Sequence, residues 1–198
     1  MSRQPENPLI SPPASAQGEF TPEERRILLR VAHSSIECAF ENAQIPSNPP
    51  STHLAEPRGA FTTIYVRSQL RGCVGYVFPV TSVYQTVAQT ARAAAFEDTR
   101  FWPLTREEAS ELEVSLSILS PLTPIQPEQV EVGRHGLLIS HHGHRGLLLP
   151  QVPIEHHWDR ITFLEQTCRK AGLPSDTWTR GASIEAFMAE VFCDSDFN

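Results

Sequence analysis

Apolar residues recur every three or four positions in three parts of the chain, a spacing typical of helices that bury one face. The first helix is predicted to start at Thr21 with a capping box to Glu24, and to end at about Asn42. The second is predicted to start at Thr81 or Ser82 and carries an alanine-rich stripe, which allows close packing on a sheet. The third follows a proline, and its predicted buried face holds Trp158, Ile161, Leu164 and Cys168.

Four further segments are rich in β-branched and aromatic residues or alternate apolar with polar positions, as strands do. Two hairpins are predicted over residues 59–78 and 136–150, and single strands over residues 111–119 and 184–192. The first hairpin is expected to turn at residues 67–69. Because helices and strands alternate irregularly, the predicted fold is a mixed α+β structure with antiparallel sheets rather than a doubly wound parallel sheet.

The first 19 residues differ in composition from the rest of the chain. They are rich in proline, serine, glutamine and alanine and hold few large apolar groups, so residues 1–19 are predicted to form a disordered tail. Residues 20–194 are predicted to form one domain, and residues 195–198 a short C-terminal tail. The tryptophans are expected in the core.

The net charge disfavours one class of partner, and the spacing of the cysteines disfavours two kinds of site. A formal net charge of −7 disfavours binding to a phosphate backbone, so a nucleic-acid partner is not expected. No run of apolar residues is long enough to cross a membrane, and the chain is expected to be cytoplasmic. The four cysteines are scattered and fit neither a zinc site nor a disulfide framework. They are Cys38, Cys73, Cys168 and Cys193.

The candidate chemistry is concentrated in the six residues Leu70-Arg71-Gly72-Cys73-Val74-Gly75, here called the signature. In a regular strand Arg71 and Cys73 lie on one face, where a guanidinium favours a reactive thiolate. The fork of Arg71 suits a planar anion, and the backbone N–H groups of Gly72 and Gly75 could hold an oxyanion. The alternative is that Cys73 is a small core residue and Arg71 pairs with a carboxylate such as Asp98.

Three more residues are candidates for this site. Asp98 and His135 could handle protons, and Arg100 could help to bind an anion. Alternatively, Asp98 and Arg100 form a polar clasp that holds Phe101 and Trp102 under the sheet, and His135 makes a structural hydrogen bond. Both interpretations remain open from the residues alone.

Histidines elsewhere do not indicate a metal. His141, His142 and His144 surround a glycine between two apolar strands, which indicates the turn of a hairpin. His156 and His157 are predicted to begin the third helix on its solvent side. No metal and no cofactor is predicted.

The signature resembles that of the AMMECR-type domain family, whose prokaryotic members are called AmmeMemoRadiSam system protein A. The resemblance extends, in the family's order, over residues 20–194. It is carried by Gly59-Ala60-Phe61, residues 94–101, His135-Gly136, residues 146–152, Trp158, residues 163–165, residues 170–173 and Trp178. Val74, where isoleucine is commoner, is a mild departure.

The resemblance implies an α+β fold with a larger and a smaller lobe and a cleft beside the signature strand. It also implies two partners, a Memo-type protein similar to metal-dependent extradiol dioxygenases and a radical-SAM protein. It implies no particular reaction, so whether the protein is an enzyme stays open.

Three functions follow as hypotheses. The leading one is a small-molecule or anion site at the signature, with Arg71 as the anion anchor and Cys73, Asp98 and His135 as catalytic groups. The second is a non-catalytic adaptor domain, in which the signature hairpin shapes a docking groove. The third, an accessory factor in RNA modification, rests on family context alone.

Overall fold

The computed structural model describes residues 18–44 and 47–197. Most of the predicted N-terminal tail, residues 1–17, lies outside the described residues. The described helices are α1 (Pro22–Phe40), α2 (Val83–Phe96), α3 (Arg106–Ala109), α4 (Gln151–Glu155) and α5 (Arg160–Lys170). The described strands are β1 (Ala60–Val66), β2 (Gln69–Tyr76), β3 (Leu112–Leu119), β4 (Thr123–Pro124), β5 (Gly136–His141), β6 (His144–Leu148), β7 (Ser183–Phe187) and β8 (Ala189–Cys193). Within these ranges, no helix is both long and apolar enough to cross a membrane.

The strands form two antiparallel sheets of four strands each. Their orders are β2-β1-β3-β8 in the first sheet and β4-β7-β5-β6 in the second. The prediction of a mixed α+β fold with antiparallel sheets is confirmed. The signature strand β2 lies at an edge of the first sheet, with a strand neighbour on one side.

Helices α1 and α2 cover one face of the first sheet. Thr62 of β1 and Thr90 of α2 are both buried, and their hydroxyls are 2.8 Å apart, which marks this face as the inner one. Adjacent residues in a strand point to opposite faces. The row next to Thr62, formed across the sheet by Cys73, Thr63, Ser115 and Cys193, therefore lies on the outer face.

Local signals in the sequence account for the boundaries of the first elements. Thr21 caps α1 and forms the predicted box with Glu24, and Ser82 caps α2. The first hairpin turns at Arg67 and Ser68, which have φ angles of 50° and 60°. Positive φ at both central residues is the geometry of a tight two-residue hairpin turn.

The prediction of one strand over residues 184–192 is wrong. The segment forms β7 and β8, which belong to different sheets and are separated by Met188. The Met188 N–H donates to Ser120 Oγ at 2.9 Å, and the Met188 carbonyl accepts from the Ser120 N–H at 2.9 Å. These two hydrogen bonds hold the chain where it crosses from one sheet to the other.

The third helix also differs from its prediction. Asp159 caps α5, so Trp158 precedes the helix, and Ile161 is 42% exposed. The buried residues of α5 are Phe163, Leu164, Thr167 and Cys168. His156 and His157 do not begin this helix; they form the turn between α4 and α5, where His157 has a φ of 53°.

Candidate functional site

The fork of Arg71 is occupied by groups of the protein. Its Nε donates to Glu108 Oε1 at 2.8 Å and its Nη2 to Glu108 Oε2 at 3.1 Å. Nη1 donates to the Trp102 carbonyl at 2.6 Å. Arg71 thus pairs with Glu108 and not with Asp98, and its guanidinium lowers the pKa of Glu108 to about 2. An incoming anion would have to displace this carboxylate.

A bulge places Arg71 in β2. Ile64 lies opposite Gly72 while Tyr65 lies opposite Leu70, so Arg71 is an extra residue without a partner in β1. An extra residue interrupts the alternation of faces along a strand. Arg71 and Cys73 are expected to share a face only in a regular strand, and β2 is irregular at Arg71. In the described residues, no hydrogen bond joins Arg71 to Cys73.

Asp98 and Arg100 complete the open edge of β2 at Cys73. The Cys73 N–H donates to Asp98 Oδ2 at 2.9 Å, and Arg100 Nη2 donates to the Cys73 carbonyl at 3.2 Å. Arg100 also donates to both oxygens of Asp98, at 2.9 Å and 2.7 Å. These bonds from Arg100, together with the Cys73 N–H, hold the pKa of the Asp98 carboxyl well below its usual range, against the opposing effect of burial. Asp98 and Arg100 thus form a polar clasp on the edge of β2 at Cys73, but this clasp does not hold Trp102 under the sheet, because Trp102 is exposed.

The two signature glycines make room for close packing. A Cβ at Gly72 would lie 2.0 Å from the carbonyl oxygen of Ala94 in α2, so the glycine allows the helix to approach the sheet. A Cβ at Gly75 would lie 2.1 Å from Cδ1 of Phe61, whose ring covers this position on the outer face. Both glycines are thus explained by packing.

The Cys73 thiol takes no part in the hydrogen bonds to Asp98 and Arg100, which involve only the Cys73 backbone. Cys73 is half-buried on the outer face, and the Thr63 hydroxyl donates to its sulfur at 3.3 Å. Tyr65 lies on the same face. Burial raises the pKa of the Tyr65 hydroxyl, and the thiols of Cys73 and Cys193 lie close enough to add to that rise.

His135 lies away from this group, immediately before β5 in the second sheet. Its ring Nδ1 accepts from the backbone N–H of Glu131 at 3.1 Å, and its backbone N–H donates to the Glu131 carbonyl at 3.0 Å. Burial lowers the pKa of its imidazole. In the part of the chain that the structure describes, Cys73, Asp98 and Arg100 come together, whereas His135 makes no hydrogen bond to them.

The prediction that all tryptophans lie in the core is wrong for Trp102, which is 87% exposed. The Arg71 bond fixes its backbone carbonyl while the ring faces solvent. Trp158 and Trp178 are partly buried and pack against the core beside the second sheet, which includes Leu137, Phe163 and Leu164, as predicted. Glu108, the partner of Arg71, is not among the residues predicted from the sequence; in the structure it also forms a capping box with Thr105 at the start of α3.

One group has the spacing of metal ligands. The ligand atoms of Glu19, His53 and Glu56 lie within 4.8 Å of one another. However, Arg58 Nη2 bonds to both carboxylates at 2.7 Å, so a cation already occupies the centre of the group. The rings of His141 and His142 are in contact, but among the described residues they belong to no group of three possible metal ligands.

We expect Gly72→Ala to destabilise the protein more than Gly75→Ala. The new methyl at position 72 meets backbone of α2, which cannot move alone, whereas at position 75 it meets a half-exposed ring. Overpacking of this kind costs about 1–3 kcal/mol, and Gly72→Ala should lie at or above the upper end. Urea unfolding of both variants measures the difference, and equal losses would contradict the packing explanation of Gly72.

We expect Asp98→Asn to lower the free energy of unfolding by about 2 kcal/mol at pH 7, because a charged, buried hydrogen-bond acceptor is lost. The folded pKa of Asp98 lies below its unfolded value of about 3.9. Its stabilisation is therefore present above that pH and is lost as the pH falls. Urea unfolding at pH 7 and pH 3 should show the gap between wild type and variant narrowing at pH 3.

The matched control is Asp176→Asn, which removes an exposed ion pair with Arg180. Exposed pairs contribute at most about 1 kcal/mol, so this variant should stay close to wild type. If wild type and Asp98→Asn differ in free energy of unfolding by the same amount at pH 7 and pH 3, the stabilising role of the Asp98 charge is contradicted.

Comparison with known proteins places the chain in a family. The sequence matches the AMMECR1 family over residues 29–192. The Methanopyrus kandleri protein MK0488 is 38% identical over 186 residues, covering 88% of this chain and 90% of the relative. A protein of Aquifex aeolicus is 35% identical over 181 residues, covering 86% and 93%.

A solved structure agrees with these relatives. The crystal structure of the uncharacterized protein PH0010 from Pyrococcus horikoshii matches with a TM-score of 0.68 and 36% sequence identity. The match covers 84% of this chain and 89% of that chain. Because the family match spans most of the chain and both relatives exceed 30% identity, the predicted membership is confirmed: the protein belongs to the AMMECR1 family.

Proposed function

We propose that this protein is a binding domain, and that its docking surface is the loop of residues 97–104, held on the edge of β2 by the signature. The carrying observation is that an almost fully exposed Trp102 stands on a loop whose backbone is fixed at both ends. Asp98 fixes the start of the loop through Cys73, and Arg71 fixes Trp102 and Pro103.

The composition of the loop supports docking. Tryptophan and arginine are the residues most enriched at the energetic centres of protein interfaces. Leu70, at the start of β2, is 43% exposed, and the Arg100 side chain is 58% exposed with its guanidinium 5.5 Å from the Phe101 ring. A fixed backbone lowers the entropy that is lost on binding, so such a loop is prepared for a partner.

The partners proposed are the Memo-type and radical-SAM proteins, and the resemblance to the AmmeMemoRadiSam system supports this. A cytoplasmic location is proposed with them. The hypothesis of an anion site at Arg71 is less favoured, because Glu108 holds both arms of the fork. A role on RNA is opposed by the net charge of −7.

We expect Trp102→Ala to weaken binding of the Memo-type protein of the same organism by about thirtyfold. This corresponds to a loss of about 2 kcal/mol of binding free energy, the cost of truncating a side chain at the energetic centre of an interface. Titration calorimetry of the two purified proteins measures the dissociation constant. Val80→Ala is the control, because Val80 is 84% exposed but lies outside the loop. Unchanged binding by Trp102→Ala, or no binding by the wild type, would refute this docking surface for that partner.

A second candidate is thiol chemistry at Cys73, which would make the protein an enzyme. The observation that favours it is that Cys73 is only half-buried on the outer face, where the Thr63 hydroxyl donates to its sulfur. His135 is not proposed as the proton handler, because it precedes β5 of the second sheet and, among the described residues, makes no hydrogen bond to Cys73. Tyr65, on the same face, is the nearer titratable group that the structure offers.

We expect iodoacetamide to label Cys73 in the folded protein before the fully buried Cys168. Thr63→Val should slow the labelling of Cys73 roughly fivefold, because one hydrogen bond to the sulfur is lost. Mass spectrometry of labelled peptides against time gives both rates. If Cys73 is labelled only after denaturation, thiol chemistry is ruled out and the binding function is unaffected.

A further inference from the structure

Residues 18–20, here called the strap, lie against the first sheet immediately before α1. Phe20 is 2% exposed and belongs to the core that α1 and α2 form with this sheet. Its backbone N–H donates to Glu190 Oε2 of β8 at 3.3 Å. Its ring stacks on the imidazole of His53, with the ring centroids 4.7 Å apart. The strap is therefore held from two sides, by β8 and by the segment that carries His53.

Glu19 of the strap lies in a cluster of charged groups. Arg58 Nη2 lies 2.7 Å from Glu19 Oε1 and 2.7 Å from Glu56 Oε2. His53 Nε2 lies 3.6 Å from Glu19 Oε1, and His53 Nδ1 lies 2.9 Å from Glu24 Oε1 of α1. Arginine stays charged at every ordinary pH, so Arg58 attracts Glu19 independently of pH. The attraction between His53 and Glu19 requires a proton on the imidazole.

The protonation state of His53 decides what its ring offers to Glu19. A protonated imidazole carries an N–H on both nitrogens, so it donates to Glu24 and attracts Glu19 at the same time. A neutral imidazole carries one N–H. If this N–H stays on Nδ1 to bond Glu24, Nε2 presents a lone pair to the Glu19 carboxylate, and two acceptors face each other. Loss of the proton therefore weakens the contact to the strap.

The surroundings of His53 favour its protonated form. Burial alone lowers the pKa of His53, but the hydrogen bond and charge of Glu24, the hydrogen bond of Glu19 and the charge of Glu56 together raise it above its usual value. A group whose folded pKa is raised stabilises the fold below its unfolded pKa, here about 6.5. That stabilisation is lost as the pH rises through the folded value. The contact between His53 and the strap is thus strongest on the acidic side of neutrality.

The other elements around this cluster carry few charges. Glu190 of β8 is paired with Arg25 Nε at 2.8 Å. Helix α2 reaches the His53 segment through the backbone N–H groups of Val83 and Tyr84, and its charged side chain is Arg92, in its later turns. Carboxylates and guanidiniums keep their charge between pH 6 and pH 9. Among the described groups of the cluster, His53 is therefore the one that titrates near neutral pH.

We propose that the strap is a pH-sensitive closure, which is shut while His53 is protonated and loosens from Glu19 as His53 loses its proton. Opening of the strap exposes Phe20 and the part of the core that Phe20 covers. The strap lies at β8, whereas the loop of residues 97–104 lies at β2, the opposite edge of the sheet. The closure therefore does not depend on the proposed docking function.

The test measures hydrogen exchange of the Phe20 amide in the full chain by nuclear magnetic resonance at pH 6 and pH 8.5. Rates are expressed as protection factors, which removes the intrinsic dependence of exchange on pH. We expect the protection of Phe20 to fall about fivefold, the effect of losing one partly exposed ion pair. The fall should follow the titration of the His53 ring, observed through its Hε1 proton. The amides of β1 should keep their protection, because the core stays folded.

Three variants separate His53 from other causes. His53→Gln keeps a neutral amide donor but cannot be protonated, so its Phe20 amide should be equally protected at both pH values. Glu19→Gln removes the carboxylate that the imidazolium attracts and should also abolish the pH dependence. His33→Gln is the matched control, because His33 Nε2 lies 2.9 Å from a carboxylate oxygen of Asp194, beyond the other end of β8. This variant should keep the pH dependence of the wild type.

Urea unfolding shows whether each variant is folded, and Glu19→Gln carries the test if His53→Gln is not. Equal protection of Phe20 at pH 6 and pH 8.5 in the wild type would overturn the closure. A pH dependence that persists in His53→Gln or Glu19→Gln would overturn the role of their contact. A parallel loss of protection in β1 would contradict a local opening, because the whole fold would then respond to pH.

Discussion

The unpaired edge of β2 is the constraint on which the rest of the signature depends. An edge strand presents backbone N–H and C=O groups that have no strand partner and that need other partners when they are shielded from water. At Cys73, Asp98 accepts a hydrogen bond from the backbone N–H and Arg100 donates one to the backbone carbonyl. These two side chains thus make the hydrogen bonds that a fifth strand would make at this position. The cost of burying Asp98 is offset because its charge is met by Arg100 and by the Cys73 N–H.

The other signature residues serve the same edge. The bulge frees Arg71 from the ladder, and Arg71 then ties the following loop to Glu108 of α3. Gly72 lets α2 approach the strand from the inner face. The polar and small residues that suggest an anion-binding active site are therefore used to build a rigid edge. The loop held on this edge exposes Trp102 to solvent. Because of this exposed tryptophan, we favour a binding function over a catalytic one.

Sequence reasoning succeeded where the determinants are local. Capping at Thr21 and Ser82, the turn at Arg67 and the alternation in β3 depend on neighbours a few residues apart, and all of them were predictable. The choice of Glu108 by Arg71 was not, because the two lie 37 residues apart and several carboxylates compete for one arginine. Nor was the break between β7 and β8, which depends on a contact between Met188 and the distant Ser120.

The candidate site was predictable in part for the same reason. That the first hairpin brings Thr63 beside the signature could have been read from the turn, but the turn alone would place Thr63 opposite Gly72. The bulge at Arg71 shifts the register by one residue and places Thr63 opposite Cys73. The exposure of Trp102 could not, because large aromatic residues usually bury much of their surface. The Arg71 side chain anchors the Trp102 carbonyl across 31 positions of the sequence, a contact that no local pattern reveals.

The most direct test of this account is hydrogen exchange at the Cys73 amide. On the open edge of a sheet this amide would exchange quickly unless Asp98 accepts its hydrogen bond. We predict strong protection of the Cys73 amide in the wild type and loss of that protection in Asp98→Ala, with the amides of β1 unaffected. Rapid exchange of the Cys73 amide in the wild type would contradict the clasp, and with it the fixed loop that presents Trp102.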